Sequence, residues 1–163
     1  MVSTYRSWLP GDKRGFRSRD HKIHSSGDYK EPPPLDEHAG LRAFHAKDGS
    51  KVVIPFDVKE LLGRKILAKF EKLDLRINAV SVSSTHSHWL AELPADRTEA
   101  KRVVGEIKAI AGQAVRKLIP GGIWARGAKL TPVDAPRYQR NVYFYIIRQD
   151  DAWVWGINHQ TPP

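Results

Sequence analysis

Two runs of alternating side chains, set back to back, constrain this chain more than any other feature. Leu75–Ser83 and Thr85–Leu93 (THSHWLAEL) are separated only by the turn Ser83-Ser84-Thr85, and Pro94 closes the second run, so together they predict a β-hairpin. Successive side chains on a strand point to opposite faces. Val80 and Val82 therefore share one face. His86 and His88 project together, and Ser87, Trp89, Ala91 and Leu93 point the other way, into what reads as the core. Long amphipathic helices are predicted on either side. Asp57–Lys72 lines up Val58, Leu61, Leu62, Ile66 and Phe70. Asp96–Leu118 lines up Val103, Val104, Ile107, Ile110, Ala114 and Leu118. Each opens with capping-box spacing, Asp57 to Glu60 and Asp96 to Glu99. Lys101, Arg102, Lys108, Arg116 and Lys117 read as the solvated face of the second helix.

The remainder fits around this unit. Val2–Leu9 reads as a strand, ended by Pro10-Gly11-Asp12. From Asp12 to about Ser50 the chain reads as irregular, with Gly15, Gly27, Gly40 and the run Pro32-Pro33-Pro34. Val52–Pro55 suggests a short strand, and Ala128–Thr131 a further one after the helix break at Pro120-Gly121-Gly122. Pro136 suits the first turn of a third helix, served by Asp134 and running to about Gln149; Asp150-Asp151 end it, and Ala152–Ile157 is a last strand or a packing tail. The expected architecture is α+β: a ferredoxin-like βαββαβ sandwich, an antiparallel sheet with helices on one face, plus a C-terminal tyrosine-bearing helix. One domain over residues 1–163 is expected, with the loop 12–50 inside it.

Charge narrows the partners. Lys plus Arg number 27 against 18 Asp plus Glu, a net +9 with a pI near 9.9, which favours a polyanion, nucleic acid ahead of membrane. No cysteine is present, so disulfides and thiolate zinc sites are excluded. No apolar run approaches the roughly 20 residues of a membrane span, and MVSTYRSW has no signal-peptide core, so no membrane partner is expected. Arg6, Lys13, Arg14, Arg17, Arg19 and Lys22 are interleaved with Tyr5, Trp8 and Phe16. Cations can hold phosphates while aromatics stack on unpaired bases, which suits single-stranded or hairpin nucleic acid. A solvated basic loop packed by its aromatics accounts for the same pattern equally well.

His86 and His88 on one strand face make half of a metal site, because neutral imidazole is a common transition-metal ligand. Tyr145 and Gln149 stand four apart on the expected third helix and so share a face. An aromatic at 145 alone would read as core; with Gln149 it gives a tyrosine and an amide on a helix that could close over the histidine strand. Tyr138 and Tyr143 are the competing tyrosines. His24 and Ser26 fit one half of a two-histidine phosphoesterase motif, but His86-Ser87-His88 does not supply the second half.

The HxH strand, the later Tyr-x-x-x-Gln helix and the strand order resemble the single-tyrosine HUH transposases, and the opening TYRSWLPGDKRGF and the later IWARG resemble their REP-associated (RAYT) branch. The resemblance covers about Thr4 to Trp155. It implies a transposase-like enzyme that nicks and joins single-stranded DNA at hairpins through a 5′-phosphotyrosine. It puts the nucleophile at Tyr145 and the ligands of a divalent metal, Mg²⁺ or Mn²⁺, at His86, His88 and Gln149. DNA contacts are expected from Arg6, Trp8, Lys13, Arg14, Arg17, Arg19 and Arg126, in a monomer or homodimer of the bacterial cytoplasm, associated with the nucleoid. The family has an apolar residue between its histidines. Here that residue is Ser87, whose hydroxyl would cost about 1–3 kcal/mol if left unpaired in the core. The alternatives are a domesticated hairpin-DNA-binding protein without catalysis and, more remotely, a replication or conjugation initiator of the same superfamily.

Overall fold

A computed structural model describes residues 1–9, 12, 26, 31, 33–34, 36–47 (45–47 as backbone), 49 and 51–158. They fall into two compact units, residues 5–52 and residues 1–4 with 53–163, each described by itself.

In the first unit the stretch expected to be irregular contains a helix, α1 (Ala39–Lys47). Its sequence AGLRAFHAK is rich in good helix formers, which outweigh Gly40. Arg6 adopts a left-handed φ of 59°, and its guanidinium donates to the carbonyl of Gly49 at 2.8 Å. That turn is why the strand predicted over Val2–Leu9 does not extend into this unit.

The second unit contains β1 (Val2–Ser3), α2 (Phe56–Lys72), β2 (Ile77–Ser83), β3 (His86–Ala91), α3 (Arg97–Ala114), α4 (Pro136–Ile147) and β4 (Ala152–Gly156). The sheet is antiparallel throughout, in the order β1-β3-β2-β4. The predicted hairpin is β2–β3, with Val80 opposite Trp89, Ser81 opposite His88 and Val82 opposite Ser87. β4 adds Trp155 opposite Val80 and Trp153 opposite Val82.

The two faces of the sheet have separate roles. Val80, Val82, Ser87, Trp89 and Trp153 share one face, covered by α2. Phe70 meets Trp89 edge-on, with centroids 5.6 Å apart. The ring of Trp153 lies against the backbone of α2 at Gly63, where any Cβ would overlap it. α3 packs beside α2, and Lys69 pairs with Glu106 between them. The opposite face carries His86, His88 and Leu90, and α4 packs there: Ile146 is buried against Ala79 and Leu90, flanked by Val133, Val142, Tyr143 and Ile147. The tyrosine-bearing helix therefore lies on the histidine face, opposite α2.

Asp57 and Glu60 do not form a capping box: α2 starts at Phe56 with Pro55 as N-cap and no side-chain bond, and Glu60 pairs with Arg64 instead. Asp96 does cap α3, accepting from the Glu99 amide at 2.8 Å. α3 ends at Ala114, and its buried stripe runs through Ala100, Val103, Val104, Ile107 and Ala111, leaving Ile110 and Leu118 exposed. Asp134 does not cap α4; Ala135 is the N-cap, without a side-chain bond. Val52–Pro55 is not a strand, although Ile54 donates to the carbonyl of Ser84.

Nor is Ala128–Thr131 a strand. An irregular stretch that overlaps its start follows β1: Thr4 bridges Trp124, Ala125 donates to Ser3, and Lys129 donates to Met1. Gly127, at φ +82°, interrupts it. Lys108 is not on the solvated face of α3. It is nearly buried and donates to the carbonyls of Ala125 at 2.7 Å and Gly127 at 2.6 Å, fixing that stretch; burial lowers its pKa. Among the described residues no helix is long and apolar enough to cross a membrane.

Candidate functional site

The period of two in β3 sets the site. His86 and His88 emerge on the α4 side, their rings perpendicular with centroids 4.9 Å apart. Thr85 Oγ1 lies 3.3 Å from Nδ1 of His86. The pKa of His88 is lowered to about 4, first by burial and then by the positive charge of His86, the terminal amine and Lys129. At neutral pH its ring is uncharged and keeps a lone pair for a cation or a hydrogen bond.

α4 brings Tyr145 to this pair. Its ring stands perpendicular to His88 with centroids 5.3 Å apart, and the side chain is 56 % exposed. His86, His88 and Tyr145 thus form a continuous row drawn from two elements distant in sequence. A cavity of about 640 Å³ opens beside the row, lined by His88, Tyr145, Tyr138, Gln139, Arg97 and Lys129 among others.

The competing tyrosines separate by environment. Tyr143 packs on β4: a Cβ at Gly156 would come within 2.5 Å of its hydroxyl, which accepts from the amide of Asn158 at 3.4 Å. Tyr143 is a packing residue. Tyr138 is 44 % exposed and lines the cavity two turns before Tyr145.

Gln149 differs from expectation. α4 ends at Ile147 with Arg148 as its C-cap, so Gln149 lies beyond the helix and does not share a helical face with Tyr145. Its Nε2 donates to the carbonyl of Tyr145 at 3.3 Å. It lines a shallow pocket with Tyr145, Asn141, Phe144, Arg148 and Asp150.

Ser87 is fully buried, and its hydroxyl is satisfied twice. It donates to the carbonyl of Ser81 at 2.6 Å and accepts from Trp89 Nε1 at 2.7 Å. The penalty expected for an unpaired hydroxyl between the histidines is not incurred.

Two supports of the site lie outside the expected set of site residues. Lys59, on α2, is buried and donates to the backbone carbonyl of Asp151 at 2.7 Å and to its carboxylate at 2.8 Å. The other carboxylate oxygen accepts from Ser84 at 2.8 Å. Asp151 thereby ties α2, the β2–β3 turn and the segment after α4 that carries Gln149. Its φ of 51° is one that Asp tolerates better than most residues. Lys108 similarly anchors the carbonyls on both sides of Arg126, an expected DNA contact, which is exposed. A lysine interrupting the apolar stripe of an amphipathic helix was the available signal in both cases.

Arg6 and Trp8 belong to the other unit. Arg6 lies over the ring of Tyr5, and Trp8 is 44 % exposed. Lys13, Arg14, Arg17 and Arg19, together with Lys22, Phe16 and His24, lie outside the described residues.

The donor set limits what metal chemistry is open. Among the described residues no three His, Cys, Asp or Glu side chains come together. The expected ligands are two imidazoles and an amide; the structure sets His86 beside His88, while Gln149 lines the pocket beside Tyr145 and is not among the residues lining the cavity at His88. That mixture of nitrogen and neutral oxygen fits a divalent ion of the Mn²⁺ type and leaves positions open. The chain matches no protein-family model, no curated protein and no solved structure.

Proposed function

We propose that this protein is a metal-dependent single-strand DNA endonuclease and strand transferase acting at hairpin DNA, with Tyr145 as its nucleophile. The observation that carries the reading is the row His86, His88, Tyr145, with the tyrosine ring 5.3 Å from its neighbour and half open to solvent. The fold adds support for a ferredoxin-like core. The stretch 124–129 follows β1 on the side away from β3, where the last strand of a βαββαβ sandwich would run, and β4 extends the sheet beyond β2. These features agree with the resemblance to RAYT-like HUH transposases, and the +9 charge agrees with a nucleic-acid partner.

His86, His88 and Gln149 would hold the divalent ion, which, when bound, lowers the charge on the scissile phosphate. Burial keeps His88 neutral, so it does not compete as a cation. Tyr145 presents its phenol at the mouth of the cavity. Its oxygen attacks phosphorus and the P–O3′ bond breaks. The 5′ phosphate stays on the tyrosine, the phenol gives up a proton, and the departing 3′ oxygen takes one up. Attack on the phosphotyrosine by a 3′ hydroxyl reverses the step and joins strands without ATP. Lys129 and Arg97, in the cavity wall, would meet the DNA backbone.

The test is incubation with single-stranded hairpin oligonucleotides and Mn²⁺ or Mg²⁺, followed by a denaturing gel. A protein–DNA adduct that survives denaturation is expected. Its absence across several hairpins and both ions, with binding retained, would leave the non-catalytic hairpin-binding protein as the better account.

A further inference from the structure

The histidine face of the sheet carries two further polar side chains, and neither has a protein partner. Ser81 Oγ and Ser83 Oγ are buried and make no hydrogen bond. Ser81 is fully buried and Ser83 is 7 % exposed. Nearly all buried polar atoms in folded proteins are paired, to protein or to ordered water, so two orphans on one strand point to a partner that is not protein. β2 alternates Ala79-Val80-Ser81-Val82-Ser83. The valines go to the α2 face, and the serines to the face of the histidines.

Their location is specific. Ser81 is directly opposite His88 in the β2–β3 register, and Ser83 ends β2 across the turn Ser84-Thr85 from His86. Such cross-strand neighbours have Cβ atoms about 4.5–5.5 Å apart. On the other side their partners in β4 are Val154 and Ala152, which offer no polar side chain. Ser87, on the opposite face, makes the contrast: it is equally buried and is bonded twice.

We propose that Ser81 and Ser83 are positioning residues of the histidine centre. Their hydroxyls hold hydration water beside His86 and His88 and, through it, fix how a hydrated divalent cation sits on the two imidazoles. The inference rests on the metal reading above and extends it to residues that reading does not use. It explains why β2 keeps serine at the two positions facing the histidines and valine at the positions between.

The test combines two readouts on the full chain. Mn²⁺ binding is followed by the electron paramagnetic resonance of free Mn²⁺, and thermal unfolding is followed in excess chelator. The proteins are the parent, Ser81→Ala, Ser83→Ala, the double variant, Ser81→Thr and His88→Ala. The double variant is expected to bind Mn²⁺ roughly 10–100-fold more weakly, the usual cost of removing a group that orients a metal site. In chelator it should melt no lower than the parent, because the deleted hydroxyls had no protein partner to lose. Ser81→Thr keeps a hydroxyl and should retain most of the affinity. Unchanged Mn²⁺ affinity in the double variant, with His88→Ala abolishing binding, overturns this proposal and leaves the metal reading standing. A double variant that melts lower in chelator also overturns it, since that marks an ordinary structural role. A parent that binds no Mn²⁺ removes both.

Discussion

The hydroxyl of Ser87 accepts a hydrogen bond from the indole nitrogen of Trp89 at 2.7 Å. A residue that departs from the apolar middle of the HxH pattern is thus the partner that a neighbouring tryptophan needs on the same face. Ser87→Val would leave the Trp89 N–H without this acceptor and lower stability by about 1–3 kcal/mol in denaturant titration. Trp89→Phe removes the donor, so Ser87→Val should cost less in that background, and the double-mutant cycle should show favourable coupling. A Ser87→Val variant as stable as the parent would show that the bond carries nothing.

Acid should open the clasp at Asp151. Its carboxyl is held below the ordinary 3.8 by hydrogen bonds from Lys59 and then Ser84, with the Lys59 charge adding to them. A depressed folded-state pKa contributes stability that is complete above the unfolded value and is lost as pH falls through the folded one. Chemical denaturation between about pH 2 and 5 should therefore show this contribution intact down to about pH 4 and declining below it. Asp151→Asn should lose that part of the acid dependence. Identical acid profiles would contradict the assignment.

Single-stranded DNA affinity should fall steeply with salt. For a single strand, each phosphate that a protein cation neutralises steepens the log–log slope by about 0.7, so replacing Arg14, Arg17 and Arg19 together by alanine should flatten it by roughly two. An unchanged slope would remove those residues from the DNA surface.

The hairpin and its flanking helices were legible because their signals are local. Alternation around Val80 and Trp89 and the 3.6-residue stripe through Leu62 and Ile66 need no knowledge of the rest of the chain. The shared face of His86 and His88 follows from the same alternation. α1 was hidden because Gly40 and the nearby proline run read as breakers, whereas the helix begins after the prolines and runs through the glycine. α4 ends at Ile147, two residues short of the expected Gln149; nothing in Arg148-Gln149 forbids a helix. Ala128–Thr131 looked like a strand, but the edge pairing falls on residues 124–129, interrupted by Gly127. Lys59 and Lys108 each interrupt an apolar stripe, but their partners come from tertiary packing: the carbonyl and carboxylate of Asp151 for Lys59, and the carbonyls of Ala125 and Gly127 for Lys108. Tyr143 and Tyr145 differ mainly in what faces them, Gly156 in one case and His88 in the other.

The most direct measurement of the central claim is the covalent DNA adduct in Tyr145→Phe, with Tyr143→Phe and Tyr138→Phe run beside it. Phenylalanine keeps the ring and removes the oxygen proposed to attack phosphorus, so hairpin binding should persist while the adduct disappears, and no excess of Mn²⁺ should restore it. His86→Ala should also lose the adduct, with partial recovery at high Mn²⁺. Tyr143→Phe should remain active. An adduct that survives in Tyr145→Phe and is lost in Tyr143→Phe or Tyr138→Phe would contradict the assignment of Tyr145 as nucleophile.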